Sequence, residues 1–134
     1  MYERIGGFSP FFRIWGKDEQ DLSARGWITG IGVKCVTNAK VGHQTRSQFP
    51  YPVSWEDIEF DRLAMVRTVF EEKTAATLEQ LKKPPPHKVQ EWLDQTDFSA
   101  LHNLVQAHRQ MSDAELFRRF VPEAPSCTIG EPER

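Results

Sequence analysis

One stretch, from Ser54 to Lys83, most limits what this chain can fold into. It opens on Ser54-Trp-Glu-Asp57, a serine with an acid three positions on. The hydroxyl of such a serine accepts an otherwise unpaired amide of the first helical turn, and Asp57 is placed to reach back to it. Glu56, Asp57, Glu59 and Asp61 fall at the positive end of the helix dipole, and Lys82 and Lys83 at the negative end. Pro84-Pro85-Pro86 then forces a stop, because proline has no amide to donate and collides with the preceding turn. At about 1.5 Å per residue, an unbroken helix between these signals is a rod on the order of 40 Å long.

The faces of this helix predict a central position. At about 100° per residue, Leu63, Val66, Phe70, Leu78 and Leu81 form one apolar stripe, edged by Phe60 and Thr74. Ile58, Met65, Val69 and Ala76 gather on nearly the opposite side. A surface helix has one such stripe, so two imply two partners. The expected partners are a sheet on one side and helices, or a second subunit, on the other.

The sheet is expected in the first fifty residues. Phe8 to Trp15, rich in aromatic and β-branched residues, reads as an edge strand marked by Pro10. Lys17 to Gly26 reads as a loop with one helical turn, capped by Asp18 and closed by Gly26. Trp27 to Thr37 reads as the main strand, with Trp27, Ile31, Val33 and Cys35 on its apolar face and Gly30 and Gly32 leaving the other face bare. Val41 to Phe49 alternates as a third strand, and Phe49-Pro-Tyr-Pro52 is a stiff connection to the serine cap.

Three shorter helices are expected after the prolines. The first runs through Asp94 with Pro86 at its first position and buries Val89, Trp92 and Leu93. The second spans about Asp97 to Gln110, with Phe98, Leu101, Leu104, Val105 and His108 in one stripe. The third opens on the capping box Ser112-Asp-Ala-Glu115 and turns Leu116, Phe117 and Phe120 inward. Residues 122–134, with prolines, small residues and charge, read as a disordered tail. The expected fold class is therefore α+β. A single domain over residues 1–121 combines an antiparallel sheet of about three strands (1–50) with a helical part (54–121) built on the long central helix.

Composition excludes several classes. A length of 134 residues fits one domain that buries about two-thirds of its unfolded surface. No apolar run approaches the ~20 residues of a membrane span, and the start is unlike a signal peptide. The two cysteines, Cys35 and Cys127, are far apart and fit free thiols in a cytoplasmic protein better than a disulfide scaffold. Residues 1–50 carry seven Lys/Arg against four Asp/Glu, a net +3, whereas residues 51–134 carry ten against fifteen, a net −5. That asymmetry is compatible with a modest basic surface on the first part.

The motif search yields no chemistry. Gly26, Gly30 and Gly32 lie within a strand pattern with no helix after them, so they do not form a phosphate loop. His102 and His108 are six apart, about 240° round a helix, so they share no ligand face, and His102 is expected to face solvent. Asp57 and Asp61 read as surface carboxylates that offset the dipole rather than as a cation site. Cys35 on an apolar face is inert, and no Gly-x-Ser-x-Gly elbow exists. A helix-turn-helix fails because Asp113 and Glu115 would lead the recognition helix into phosphates. No enzyme activity, metal or cofactor is expected.

Two features suggest binding. Lys34, Lys40, His43 and Arg46 gather around the second expected hairpin, beside Phe11, Arg13 and Trp15 on the neighbouring strand. Basic groups beside aromatic rings suit single-stranded nucleic acid. Four Trp, nine Phe and two Tyr are also many for a short chain, and aromatic anchors with arginine nearby suit a protein interface. The favoured function is a non-enzymatic binding protein, an accessory factor or inhibitor acting on a larger protein or nucleoprotein machine, of a kind that bacteriophages and mobile elements encode. A protein partner is expected first, nucleic acid second, and a homo-oligomer formed through the long helix third, with no membrane contact.

Overall fold

The computed structural model describes residues 2–42 and 51–121, and every regular element among them is helical. A 3-10 turn, Tyr2–Ile5, precedes six α-helices: α1 (Asp18–Ile28), α2 (Trp55–Val69), α3 (Glu72–Gln80), α4 (His87–Gln95), α5 (Ser99–Ala107) and α6 (Asp113–Phe120). The expected α+β class is corrected to an all-helical one, because no sheet forms among the described residues.

α1 replaces the loop expected over Lys17–Gly26 and takes Trp27 and Ile28, the first two residues of the main expected strand. Its first turn carries Asp18, Glu19 and Asp21 and its last turn Arg25, the polarity that the helix dipole favours. Asp21 and Arg25 stand four apart and pair through their side chains, both fully buried. Ala24, Trp27 and Ile28 recur at helical spacing and join the apolar core. The helix ends where Gly30 adopts φ +73°, with the Thr29 hydroxyl donating to the Arg25 carbonyl at 2.8 Å. Gly32 adopts φ +74° and returns its amide to the Gly26 carbonyl at 2.8 Å. Two left-handed glycines here fold the chain back and are incompatible with a strand through Thr37. Val33 to Gly42 is irregular and exposed, Cys35 included, so that thiol does not face an apolar layer.

The expected edge strand, Phe8 to Trp15, is also irregular. Its backbone finds a carboxylate in place of a neighbouring strand: the Arg13 and Ile14 amides donate to Asp61 Oδ1 and Oδ2 at 2.8 and 3.0 Å. Buried backbone donors need a partner of some kind, and Asp61, with no exposed surface, provides it. The third expected strand falls mostly on residues 43–50, outside the described residues; Val41 and Gly42, its beginning, are not in a strand.

α2 holds the central position expected of it, packing against α1, α3, α4 and α5. Ser54 caps it, accepting the Asp57 amide, while the Ser54 hydroxyl donates to Glu56 at 2.7 Å. The Asp57 side chain turns away to Arg13 at 2.9 Å, not back to the cap. Leu63, Val66 and Phe70 are buried, and on the other side Val69 is fully buried with Met65 packed beside the same core. On the face expected to await a sheet or second subunit, Val69 and Met65 are covered within the chain, Ile58 is half-buried and Ala76 is exposed. One cluster joins Val66, Val69 and Phe70 to Ile28, Leu101, Val105 and Leu116; the other joins Phe60, Leu63 and Ala64 to Val89, Leu93 and Phe98. Phe11 packs against both.

The single long rod is corrected to two helices. Phe70 and Glu71 are extended, with ψ of 159° and 148°. The break is held from 42 residues away, where the Asp113 carboxylate accepts the Glu71 amide at 2.8 Å. The Val69 carbonyl, unpaired at the end of α2, accepts from Arg109 at 2.9 Å and from Gln106 at 3.4 Å. α3 ends at Gln80, ahead of the prolines, leaving Leu81 68% exposed rather than in the stripe.

The last three helices lie close to their expected positions. Pro86 stands just outside α4, and α5 is shorter than expected at both ends. The Ser112–Glu115 capping box forms in full. Phe120 is not inward: it is exposed, with its ring 5.0 Å from Trp27. His102 does not face water freely either, since its Nδ1 lies 3.0 Å from the Arg67 carbonyl near the end of α2.

Candidate functional site

The residues expected to bind divide into three groups. Phe11 and Arg13 come together over α2 and α4. The Phe11 ring meets Phe98 edge-on at 4.9 Å, and the Arg13 guanidinium lies 3.7 Å from the Trp92 ring centre and 5.4 Å from that of Phe60. Phe11 is thus a core residue and Arg13 an anchored one. Lys34 and Lys40 lie instead on the exposed irregular segment after α1. His43 and Arg46 fall outside the described residues. Among the described residues no sheet forms that would gather them.

Trp15, the remaining one, opens a different arrangement. It is 43% exposed, and Gly16, at φ +112°, turns the chain into Lys17 and the first turn of α1. Asp18 and Glu19 follow within four positions of the ring, Glu19 exposed and Asp18 half-buried. Two buried carboxylates fix this corner. Asp61 holds the Arg13–Ile14 backbone just ahead of Trp15. Asp21 pairs with Arg25, whose guanidinium also donates to the Ile5 carbonyl and so ties the N-terminal turn to α1.

Burial pushes the Asp61 carboxyl above its ordinary value, opposed by the two backbone amides that it accepts. Burial likewise raises Asp21 against its hydrogen bond and charge contact with Arg25. Neither is the solvated surface carboxylate that periodicity suggests for Asp61. The spacing Asp21–Arg25 was the available signal for the first pair. Nothing local marks Asp61, because its partners lie 47 and 48 residues earlier. Among the described residues, no group of three His, Cys, Asp or Glu is placed to hold a metal ion, and Asp57 and Asp61 are both occupied by the Arg13–Ile14 segment.

A second surface lies at the N-terminal end of α2. Trp55, Glu56, Glu59, Lys82, Lys83 and Pro84–Pro86 line an open groove of about 700 Å³. Trp55 is 78% exposed. Glu59 is held below the usual carboxylate range by its hydrogen bond from Arg62, and Glu56 by the Ser54 hydroxyl. No helix among the described residues is long and apolar enough to cross a membrane.

About a third of the chain is similar to a segment of known transferases. It is 36% identical over 50 residues to polypeptide N-acetylgalactosaminyltransferase 5 of Caenorhabditis elegans. It is 33% identical over 49 residues to polypeptide N-acetylgalactosaminyltransferase 10 of Homo sapiens. It is 29% identical over 51 residues to putative polypeptide N-acetylgalactosaminyltransferase 13 of Drosophila melanogaster. Each match takes in 37% of this chain, and the chain spans only 8–9% of the length of these curated relatives. No family model matches the chain, and no solved structure matches it.

Proposed function

We propose that this chain contributes a sugar-binding corner to a glycosyl-transferring protein. The observation that carries this reading is the repeated similarity, over about 50 residues each time, to polypeptide N-acetylgalactosaminyltransferases from worm, fly and mammals. The structure adds a corner of suitable chemistry. A half-exposed indole offers a flat apolar surface to the C–H face of a pyranose, and neighbouring carboxylates accept its hydroxyls. Trp15, Asp18 and Glu19 supply these groups within a few residues, just after a backbone pinned by Asp61. Pinning matters because a site on an unsupported loop loses its geometry and much of its affinity. Trp15 then stacks on the sugar, and Glu19 and Asp18 select its hydroxyls.

Saturation-transfer NMR with N-acetylgalactosamine and with its uridine diphosphate ester tests this reading. Binding is expected for at least one, weakened about tenfold or more by Trp15→Ala and by Glu19→Gln, a change of about 1.4 kcal/mol each. Failure of both ligands to bind, or binding indifferent to both substitutions, removes the proposal.

A second reading, a non-enzymatic factor that binds a larger protein or nucleoprotein machine, is favoured by the exposed Trp55 groove. In its nucleic-acid form the exposed Lys34 and Lys40 are the contacts. Affinity for single-stranded nucleic acid would then fall steeply with salt, and Lys40→Glu would weaken it further. Binding that ignores both disposes of that form.

A further inference from the structure

The Trp55 groove carries both halves of two recognition pairs. Aromatic surfaces bind polyproline segments, because such segments are already extended and lose little entropy on docking. Here an exposed indole and a triple proline line one groove. The same groove brings two acids, Glu56 and Glu59, beside two lysines, Lys82 and Lys83. Among the described residues neither lysine is in an ion pair within the chain, whereas Arg62 already serves Glu59. A surface of this composition is complementary to itself. In a twofold contact the same patch faces its own copy, so each residue type meets its counterpart twice.

We propose that the occupant of this groove is a second copy of the chain, with Trp55 of each copy seated against Pro84–Pro86 of the other and Lys82 and Lys83 facing Glu56 across the axis. A partner protein would need only one half of each pair, and nothing about it would require the other half on this chain. The contact is small. Two indoles burying about 150–250 Å² each, with the proline walls, stay below the ~1,200 Å² of a stable interface. The dimer is therefore reversible, concentration-dependent and weakened by salt. This inference does not rest on the transferase reading, whose residues Trp15, Asp18 and Glu19 do not line the groove.

Sedimentation equilibrium of the full chain, over a concentration series up to about 1 mM, tests it. A monomer–dimer equilibrium is expected, weakened at least tenfold by Trp55→Ala and by the double variant Lys82→Glu/Lys83→Glu, which makes the patch uniformly acidic. All these side chains except Glu56 are largely exposed, and circular dichroism checks that helix content is unchanged. Mixing the double variant with Glu56→Lys is expected to restore association between unlike copies. A strict monomer across the series overturns the proposal. So does a dimer that survives Trp55→Ala, or a Trp55-dependent fluorescence change with a proline-only peptide in a chain that never dimerises.

Discussion

Asp113 grips Arg109 one turn before it and the Glu71 amide 42 residues before it, both at 2.8 Å. The carboxylate is 1% exposed and the guanidinium 13%, so this is an interior ion pair with a backbone donor attached. Arg109 extends the arrangement to the Val69 carbonyl at 2.9 Å and to Met111 at 3.0 Å. The cation thus sits at the negative end of α2, and the anion at the start of α3.

Removing Asp113 is expected to be among the costliest single changes in the chain. Asp113→Ala leaves Arg109 with only the half-exposed Glu71 carboxylate at 3.6 Å and the Glu71 amide without an acceptor, a loss of up to about 3–5 kcal/mol. Asp113→Asn keeps an acceptor for the amide and is expected to cost about 1–3 kcal/mol. Urea denaturation of the two variants gives the order, and equal losses would show that the charge is not what matters.

Asp61 gives a pH dependence of definite sign. Its folded carboxyl is raised above the unfolded value by burial. Its contribution is fully present below the unfolded value of about 3.8 and is lost as pH rises through the folded one. Comparison with Asp61→Asn isolates this, since the variant cannot titrate there. The stability of the natural chain relative to the variant is expected to grow as pH falls from 7 towards 4. Denaturation midpoints at several pH values measure it, and a gap that shrinks on acidification contradicts it.

Gly30 separates two costs. At φ +73° an alanine is strained by about 1–2 kcal/mol, and its Cβ would also stand 2.0 Å from Gln110 Oε1. Gly30→Ala is expected to lose more than the backbone term, and adding Gln110→Ala to bring the loss back to about 1–2 kcal/mol. Thermal unfolding of the single and double variants decides between them.

Arg13 tests how far an arginine stacked on an indole contributes when partly exposed. Its side chain is 40% exposed, so the ion pair with Asp57 contributes little, and the contact with Trp92 about 0.5–1 kcal/mol. Arg13→Ala is expected to lower stability by no more than about 2 kcal/mol while shifting Trp92 fluorescence. A larger loss would mean that the side chain also holds the Asp61 contact in place.

The parts of the fold legible in the sequence are those fixed locally. Ser54 and the Ser112–Glu115 box mark helix starts because the cap and its amide are three residues apart. α2 is central because apolar residues on two of its sides can be counted. α1 was legible too, in the Asp21–Arg25 spacing and in Ala24, Trp27 and Ile28, but the apolar alternation after Trp27 competes with it and suggests a strand. Gly30 and Gly32 decide the matter through left-handed backbone, which the letters alone do not show. The break after Val69 leaves no local trace, since Thr, Val, Phe and Glu all continue a helix and the agents of the break are Arg109 and Asp113. At the candidate site, Trp15 and Arg13 stand out as aromatic and basic residues, but the carboxylate beneath them, Asp61, is chosen by folding rather than by spacing.

The extended pair Phe70–Glu71 bears on the order of assembly. A nascent chain that has reached only its hundredth residue lacks both side chains that hold this joint open. At that stage the run from Trp55 to Gln80 is expected to stay straight as one helix, and to hinge only when α6 swings in and locks it. The finished angle between α2 and α3 would then be imposed by α6, made after both.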